Sequence, residues 1–133
     1  MSFSFQYDYA LLKGDSAGLR FRAAGTQSYF FSIDASGNYT FLYYPDVMDG
    51  ATAQTISSGV SHPVHKGYGV KNQLTLIAIG NLFYFYLNQQ FFLKATDPTL
   101  SSGGLSLLVD SEAIPTEAVF SQAVAWNIAG MAP

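Results

Sequence analysis

Residues 73–88, Gln73-Leu-Thr-Leu-Ile-Ala-Ile-Gly80-Asn81-Leu-Phe-Tyr-Phe-Tyr-Leu-Asn88, decide the fold class. Two β-rich runs, 73–79 and 82–88, meet at Gly80-Asn81, a two-residue loop of the kind that closes a tight hairpin. Helical spacing of apolar side chains is nearly absent, and period-two alternation dominates the whole chain. Upstream, Phe3, Phe5, Tyr7 and Tyr9 alternate with Ser2, Ser4, Gln6 and Asp8. In 18–24, after the turn-forming Lys13-Gly-Asp-Ser16, Leu19 and Phe21 point one way and Arg20 and Arg22 the other. Segments 29–34 and 38–44 form a second hairpin through Ala35-Ser-Gly37, where glycine tolerates the positive φ of the turn. Downstream, 91–96, 105–109 and 117–128 read as further strands. The polar, Gly-bearing stretch 45–69 reads as loop with one short edge strand near 54–57. The count reaches nine or ten strands, which predicts an all-β, two-sheet antiparallel sandwich with no helix of any length.

Totals bound the rest. The chain has 133 residues, one domain's worth, which the pattern places in 1–128 with a short C-terminal tail at 129–133. There is no cysteine, so disulfides and thiolate metal sites are excluded, and the redox compartment is left open. Charged residues make up only 11% and aromatics 16%, so some tyrosines must sit at the boundary, ring on protein and hydroxyl in water. With a net charge of −3 and Arg20/Arg22 the one cationic cluster, nucleic acid is not an expected partner. The opening has no basic start and no apolar run before Asp8, so no signal peptide is read there. No stretch is long enough to insert in a membrane. The compartment stays undetermined.

Three groups of segments carry a resemblance: Gly18-Leu-Arg-Phe-Arg22 with Tyr29-Phe-Phe-Ser-Ile33; Asn72-Gln-Leu-Thr-Leu76 with Tyr86-Leu-Asn88; and Gly103-Gly-Leu-Ser-Leu107 with Glu117-Ala-Val-Phe120 and Trp126. In this order they resemble the concanavalin A-like, or laminin G-like, jelly-roll superfamily in its bacterial module form. They are more distantly similar to the domain of 3-keto-disaccharide hydrolases. The resemblance spans residues 3–128. It implies two antiparallel sheets, one concave, with a saccharide held on the concave face and its rim. Alternation then puts Phe83, Phe85 and Leu87 in the core and Tyr84, Tyr86 and Asn88 outside, with Arg20 and Arg22 outside on their strand.

Glycosidases need two acids flanking the scissile bond. Here the nine acids are scattered, and only Asp110 and Glu112 sit two apart, in a place suited to turn capping. A catalytic role is therefore not expected. His62-Pro-Val-His65 lacks an assured third metal ligand and reads as loop histidines. Asp46 and Asp49 are weak calcium candidates, calcium being the one cofactor left open. Asn38-Tyr-Thr40 matches a glycosylation acceptor by chance composition. The outward set Arg20, Arg22, Tyr84, Tyr86 and Asn88 combines aromatic faces with amide and guanidinium donors, which suits a sugar. An equal alternative pairs Arg22 with Asp34 or Glu117 and makes the tyrosines cross-strand neighbours; Trp126 is read as core. The expectation is a non-catalytic module binding a carbohydrate or similar polar ligand. The rival is a structural domain that assembles as a homo-oligomer or on another protein surface, and a weaker alternative is a glycoside-processing enzyme.

Overall fold

A computed structural model of the chain describes residues 2–111 and 114–128. Glu112 and the expected tail at 129–133 lie outside the described residues. Ten strands follow in order: β1 (Ser2–Lys13), β2 (Ser16–Ala24), β3 (Gln27–Asp34), β4 (Asn38–Tyr44), β5 (Gln54–Val60), β6 (Lys71–Ile79), β7 (Leu82–Leu87), β8 (Gln90–Thr96), β9 (Gly104–Asp110) and β10 (Glu117–Asn127). The one helical element among the described residues is a 3-10 turn at Gly50–Thr52. Every predicted strand is present, and bounds move by a few residues at most.

The strands form two antiparallel five-stranded sheets. The first runs β10-β1-β6-β7-β8 and the second β5-β4-β3-β2-β9. Their facing rows make the core. Phe83, Phe85 and Leu87 of β7 meet Phe21, Phe31 and Phe41 of the second sheet, all fully buried. The rings of Phe31 and Phe85 stack at 4.6 Å, and Phe21 meets Phe83 edge-on at 5.6 Å. Each such side chain contributes about 2–3 kcal/mol by leaving water, and favourable ring geometry adds about 0.5–1.5 kcal/mol per pair. This aromatic core suits a chain with few charges.

Two departures from simple alternation shape the molecule. In β2 the register to β3 jumps between Phe21 and Ala24, and that to β9 between Phe21 and Ala23. Arg22 sits in this bulge with φ +49°. An extra residue there turns the next side chain to the other face. In β10 the register to β1 jumps between residues paired with Gln6 and Asp8, with Gln122 at φ +55°. The sandwich is also open along one side, where edge strands β9 and β10 face each other. Leu105 shares the inward row of Phe21, and Ala125 that of Phe5, yet both are exposed.

Candidate functional site

Each sheet has a face turned away from the core, and the two differ. On the first sheet, direct pairing aligns Trp126, Ser4, Ile77, Tyr84 and Lys94 in one outer row, and Val124, Gln6, Thr75, Tyr86 and Phe91 in the next. These side chains are half-buried or exposed. Lys94 Nζ lies 5.7 Å from the Tyr84 ring centre, and Tyr86 meets Phe91 at 5.7 Å. Trp126 is 46% exposed, so the expectation that it belongs to the core is corrected: it pairs with Ser4 on the outer face of an edge strand.

On the second sheet the outer rows are Asp110–Ser16–Asp34, then Leu108–Gly18–Ser32–Thr40–Ser58, then Ser106–Arg20–Phe30–Leu42–Thr55, with Ser28 beside Tyr44. Small polar side chains fill the middle of this face, and Gly18 contributes none. Residues that point away from the core are nonetheless buried: Ser28 is 0% exposed, Phe30 7% and Ser32 7%. This face is recessed beneath its surroundings, and two adjoining hollows lie over it. The larger, of about 400 Å³, is lined by Asp15, Ser16, Asp34, Asn38, Thr40 and Asp110 among others. The smaller, of about 230 Å³, is lined by Arg20, Ser28, Phe30, Tyr44, Val47, Gly50 and Leu108. Tyr44 belongs to both and its ring packs on Phe30 at 6.1 Å.

Polar groups in the larger hollow are partly engaged. Asp34 accepts from Ser36 N, Asn38 N and Asn38 Nδ2 at 2.9, 2.9 and 3.0 Å, closing the β3–β4 turn. Ser32 and Thr40 hydroxyls bond each other at 3.0 Å across the floor. The Asp15 amide donates to Thr116 Oγ1 at 2.8 Å. In the smaller hollow, Arg20 Nε and Ser28 Oγ are buried with no hydrogen-bond partner among the described residues.

The five side chains expected to share one sugar site do not come together. Arg20 lies on the outer face of the second sheet, whereas Tyr84 and Tyr86 lie on the outer face of the first, on the opposite side of the sandwich. Arg22 is 1% exposed, because the β2 bulge turns it inward. Its Nη1 donates to Leu100 O at 3.0 Å and its guanidinium lies 4.9 Å from the Phe83 ring centre, so it anchors the loop after β8 and does not reach Asp34 or Glu117 as the alternative expected. Burial there lowers its pKa, with the nearby Tyr29 working the other way. Asn88, at φ +52°, is a turn residue: it accepts from Gln73 N at 2.9 Å and donates to Pro63 O and Asn72 Oδ1, both at 2.9 Å.

The metal candidates are also accounted for. Asp46 accepts from Met48 N at 2.9 Å and Asp49 from Ala51 N at 3.1 Å, so each caps its own turn. His65 is tied to Asn72 through its amide and to Lys71 O through Nδ1. Among the described residues no three His, Asp or Glu side chains gather as a metal site would require.

Sequence reading missed that Asp15, Asp34 and Asp110 line one hollow and that Tyr44 and Ser28 line its neighbour. One signal was available: Ser16, Ser32, Thr40 and Ser58 place small polar groups at outward positions of successive strands, unlike the outward Tyr, Val and Trp of the other sheet.

No family model and no curated protein sequence matches the chain. Solved structures do. A carbohydrate-binding module of family 66 from Bacillus subtilis superposes with a TM-score of 0.76 at 22% identity, over 95% of this chain and 75% of that one. Sheep galectin-11 gives 0.66 at 11% identity, covering 94% and 90%. A protein named as a candidate glycosyl hydrolase from Parabacteroides distasonis gives 0.67 at 13%, covering 95% and 78%. These likenesses, at this level of identity, speak to architecture. With two five-stranded antiparallel sheets stacked on an aromatic core, the chain has the jelly-roll sandwich fold that these structures share.

Proposed function

We propose that the chain is a non-catalytic binding module that holds a carbohydrate across the outer face of its second sheet. One observation carries the reading: β3 is buried on both faces, because the face turned from the core lies at the bottom of two joined hollows. Such a recess, floored by hydroxyls and carrying an aromatic at its middle, supports a ligand rich in hydroxyl groups and apolar ring faces. Tyr44 would stack on a ring, while Arg20, Ser16, Asn38 and the carboxylates of the larger hollow would hydrogen-bond hydroxyls. The likeness to a structure named as a carbohydrate-binding module supports this use of the fold. Asp34 is committed to its turn, which argues against a catalytic role for that carboxylate. Of the five residues first expected at the site, Arg20 alone stays in it.

Calorimetric titration against a glycan panel, with and without calcium, tests the proposal. Binding that weakens about tenfold in Tyr44→Ala, which corresponds to about 1.4 kcal/mol, is the expected result. No response to any glycan would overturn it.

A second reading, self-association, draws on the open side between β9 and β10, where Leu105 and Val109 are each 37% exposed. An edge carrying inward-type side chains in water is an assembly risk. Sedimentation of a purely monomeric species at high concentration would dismiss it.

A further inference from the structure

We infer that the smaller hollow is an anion subsite, so that the saccharide held there carries a carboxylate, as a uronic acid does. The inference rests on the groove being the saccharide site and names what one end of it selects. Arg20 supplies a permanent cation to this hollow. Among the described residues no carboxylate is found paired with it, and the Lys71–Asp8 ion pair lies elsewhere. Its Nε is buried and has no acceptor, and beside it Ser28 Oγ, on a residue with 0% exposure, also lacks a partner. Both residues line the same 230 Å³ space. Buried donors left unmet are uncommon in folded proteins and mark a place where something else completes the bonding.

The missing group is an acceptor with negative charge. A guanidinium edge presents two parallel N–H donors at a spacing that matches the two oxygens of a carboxylate. The Ser28 hydroxyl adds a third donor. The apolar walls, Phe30, Val47 and Leu108, strengthen the attraction by keeping the surroundings of low polarity.

The adjoining hollow has the opposite character. Asp15, Asp34 and Asp110 line it, so it repels a second anion and accepts hydrogen bonds from neutral hydroxyls. Ser16 and Arg20 stand four residues apart along β2, about 13 Å at strand rise. The groove is thus polarised over the length of a short oligosaccharide. It suits an acidic sugar at the Arg20 end followed by a neutral one, more than a uniformly charged polymer.

The experiment titrates the unmodified protein with three probes: an aldobiuronic acid (a uronic acid linked to a neutral sugar), its methyl ester, and the corresponding neutral disaccharide. The acid should bind at least tenfold more tightly than either neutral form, and its affinity should fall as salt is raised while theirs does not. In Arg20→Gln the ratio of acid to neutral affinity should fall to about one, whatever affinity all three probes lose together, and Arg20→Lys should restore part of that ratio. Equal affinity for acid and ester would overturn the inference and leave the carbohydrate site standing. A sulfated disaccharide matching the acid in affinity would overturn the carboxylate assignment. Failure of all probes and of the wider glycan panel would remove both readings.

Discussion

Removing one oxygen atom, in Tyr29→Phe, should cost the protein about 3 kcal/mol. The Tyr29 ring is buried among Phe21, Phe41 and Phe83, and phenylalanine keeps those contacts, so no cavity opens. What is lost is the hydroxyl. It donates to Asp97 Oδ1 at 2.6 Å, with Asp97 O at 3.2 Å, and accepts from the Leu100 amide at 3.1 Å. A bond to a charged acceptor contributes about 1.5–3 kcal/mol, and orphaning a buried amide costs about 1–3 kcal/mol. The two losses overlap, because the loop at 97–100 relaxes once released. A domain of this size has roughly 7–20 kcal/mol to lose, so the variant folds, with a melting temperature lower by about 10 °C. Urea unfolding of wild type, Tyr29→Phe, Asp97→Asn and the double variant measures the cost and the coupling. The Asp97 carboxyl is partly buried, which alone would raise its pKa, but bonds from Thr99 and Tyr29 bring it below its ordinary 3.8. Its folded pKa is thus depressed, so its stabilisation is present above pH 3.8 and is lost as pH falls through the folded value. The gap between wild type and Tyr29→Phe should narrow in that acid range. A loss under about 0.5 kcal/mol, or two single variants that simply add, would refute the reasoning.

Alkali should act through the same residue. Burial first, then the bond to Asp97, raise the Tyr29 pKa from 10.0 to about 12, and burial raises those of Tyr7 and Tyr9 as well. Groups raised on folding contribute fully below the unfolded value and lose that contribution as pH climbs through the folded one. The urea midpoint should therefore hold up to about pH 10 and drop beyond it, with Tyr29→Phe showing a shallower drop. Asn88→Ala should cost about 2–4 kcal/mol by thermal unfolding, since it deletes three hydrogen bonds that join the β7–β8 turn to Pro63, Asn72 and Gln73, and should leave glycan affinity unchanged.

The strands were legible because each obeys a local rule. Phe83-Tyr-Phe-Tyr-Leu87 alternates, and nothing in the tertiary structure contradicts it. Gly80-Asn81 turns where glycine makes turning cheap. The site was less legible for two physical reasons. Alternation says which side of a strand a residue takes, but not in which sheet that strand lies. Tyr84 and Arg20 both point outward, yet β7 joins β1 through β6 while β2 pairs with β3 and β9. That partition comes from pairings between distant segments, such as Phe5 with Leu76. The second reason is the β2 bulge. Arg22 takes a left-handed conformation without being Gly, Asn or Asp, so no local composition announces that alternation breaks there. Trp126 failed differently. Its strand is at an edge, and an outer face that would be paved in a wider sheet is open to water.

The central claim is the location of the ligand, and mapping backbone amide shifts of the isotopically labelled protein during glycan titration tests it most directly. The account predicts that shifts concentrate on the outward positions of β2, β3 and β4 around Ser16, Arg20, Ser32, Thr40 and Tyr44. Shifts gathered instead around Tyr84, Tyr86, Phe91 and Trp126 would place the site on the other sheet and contradict it.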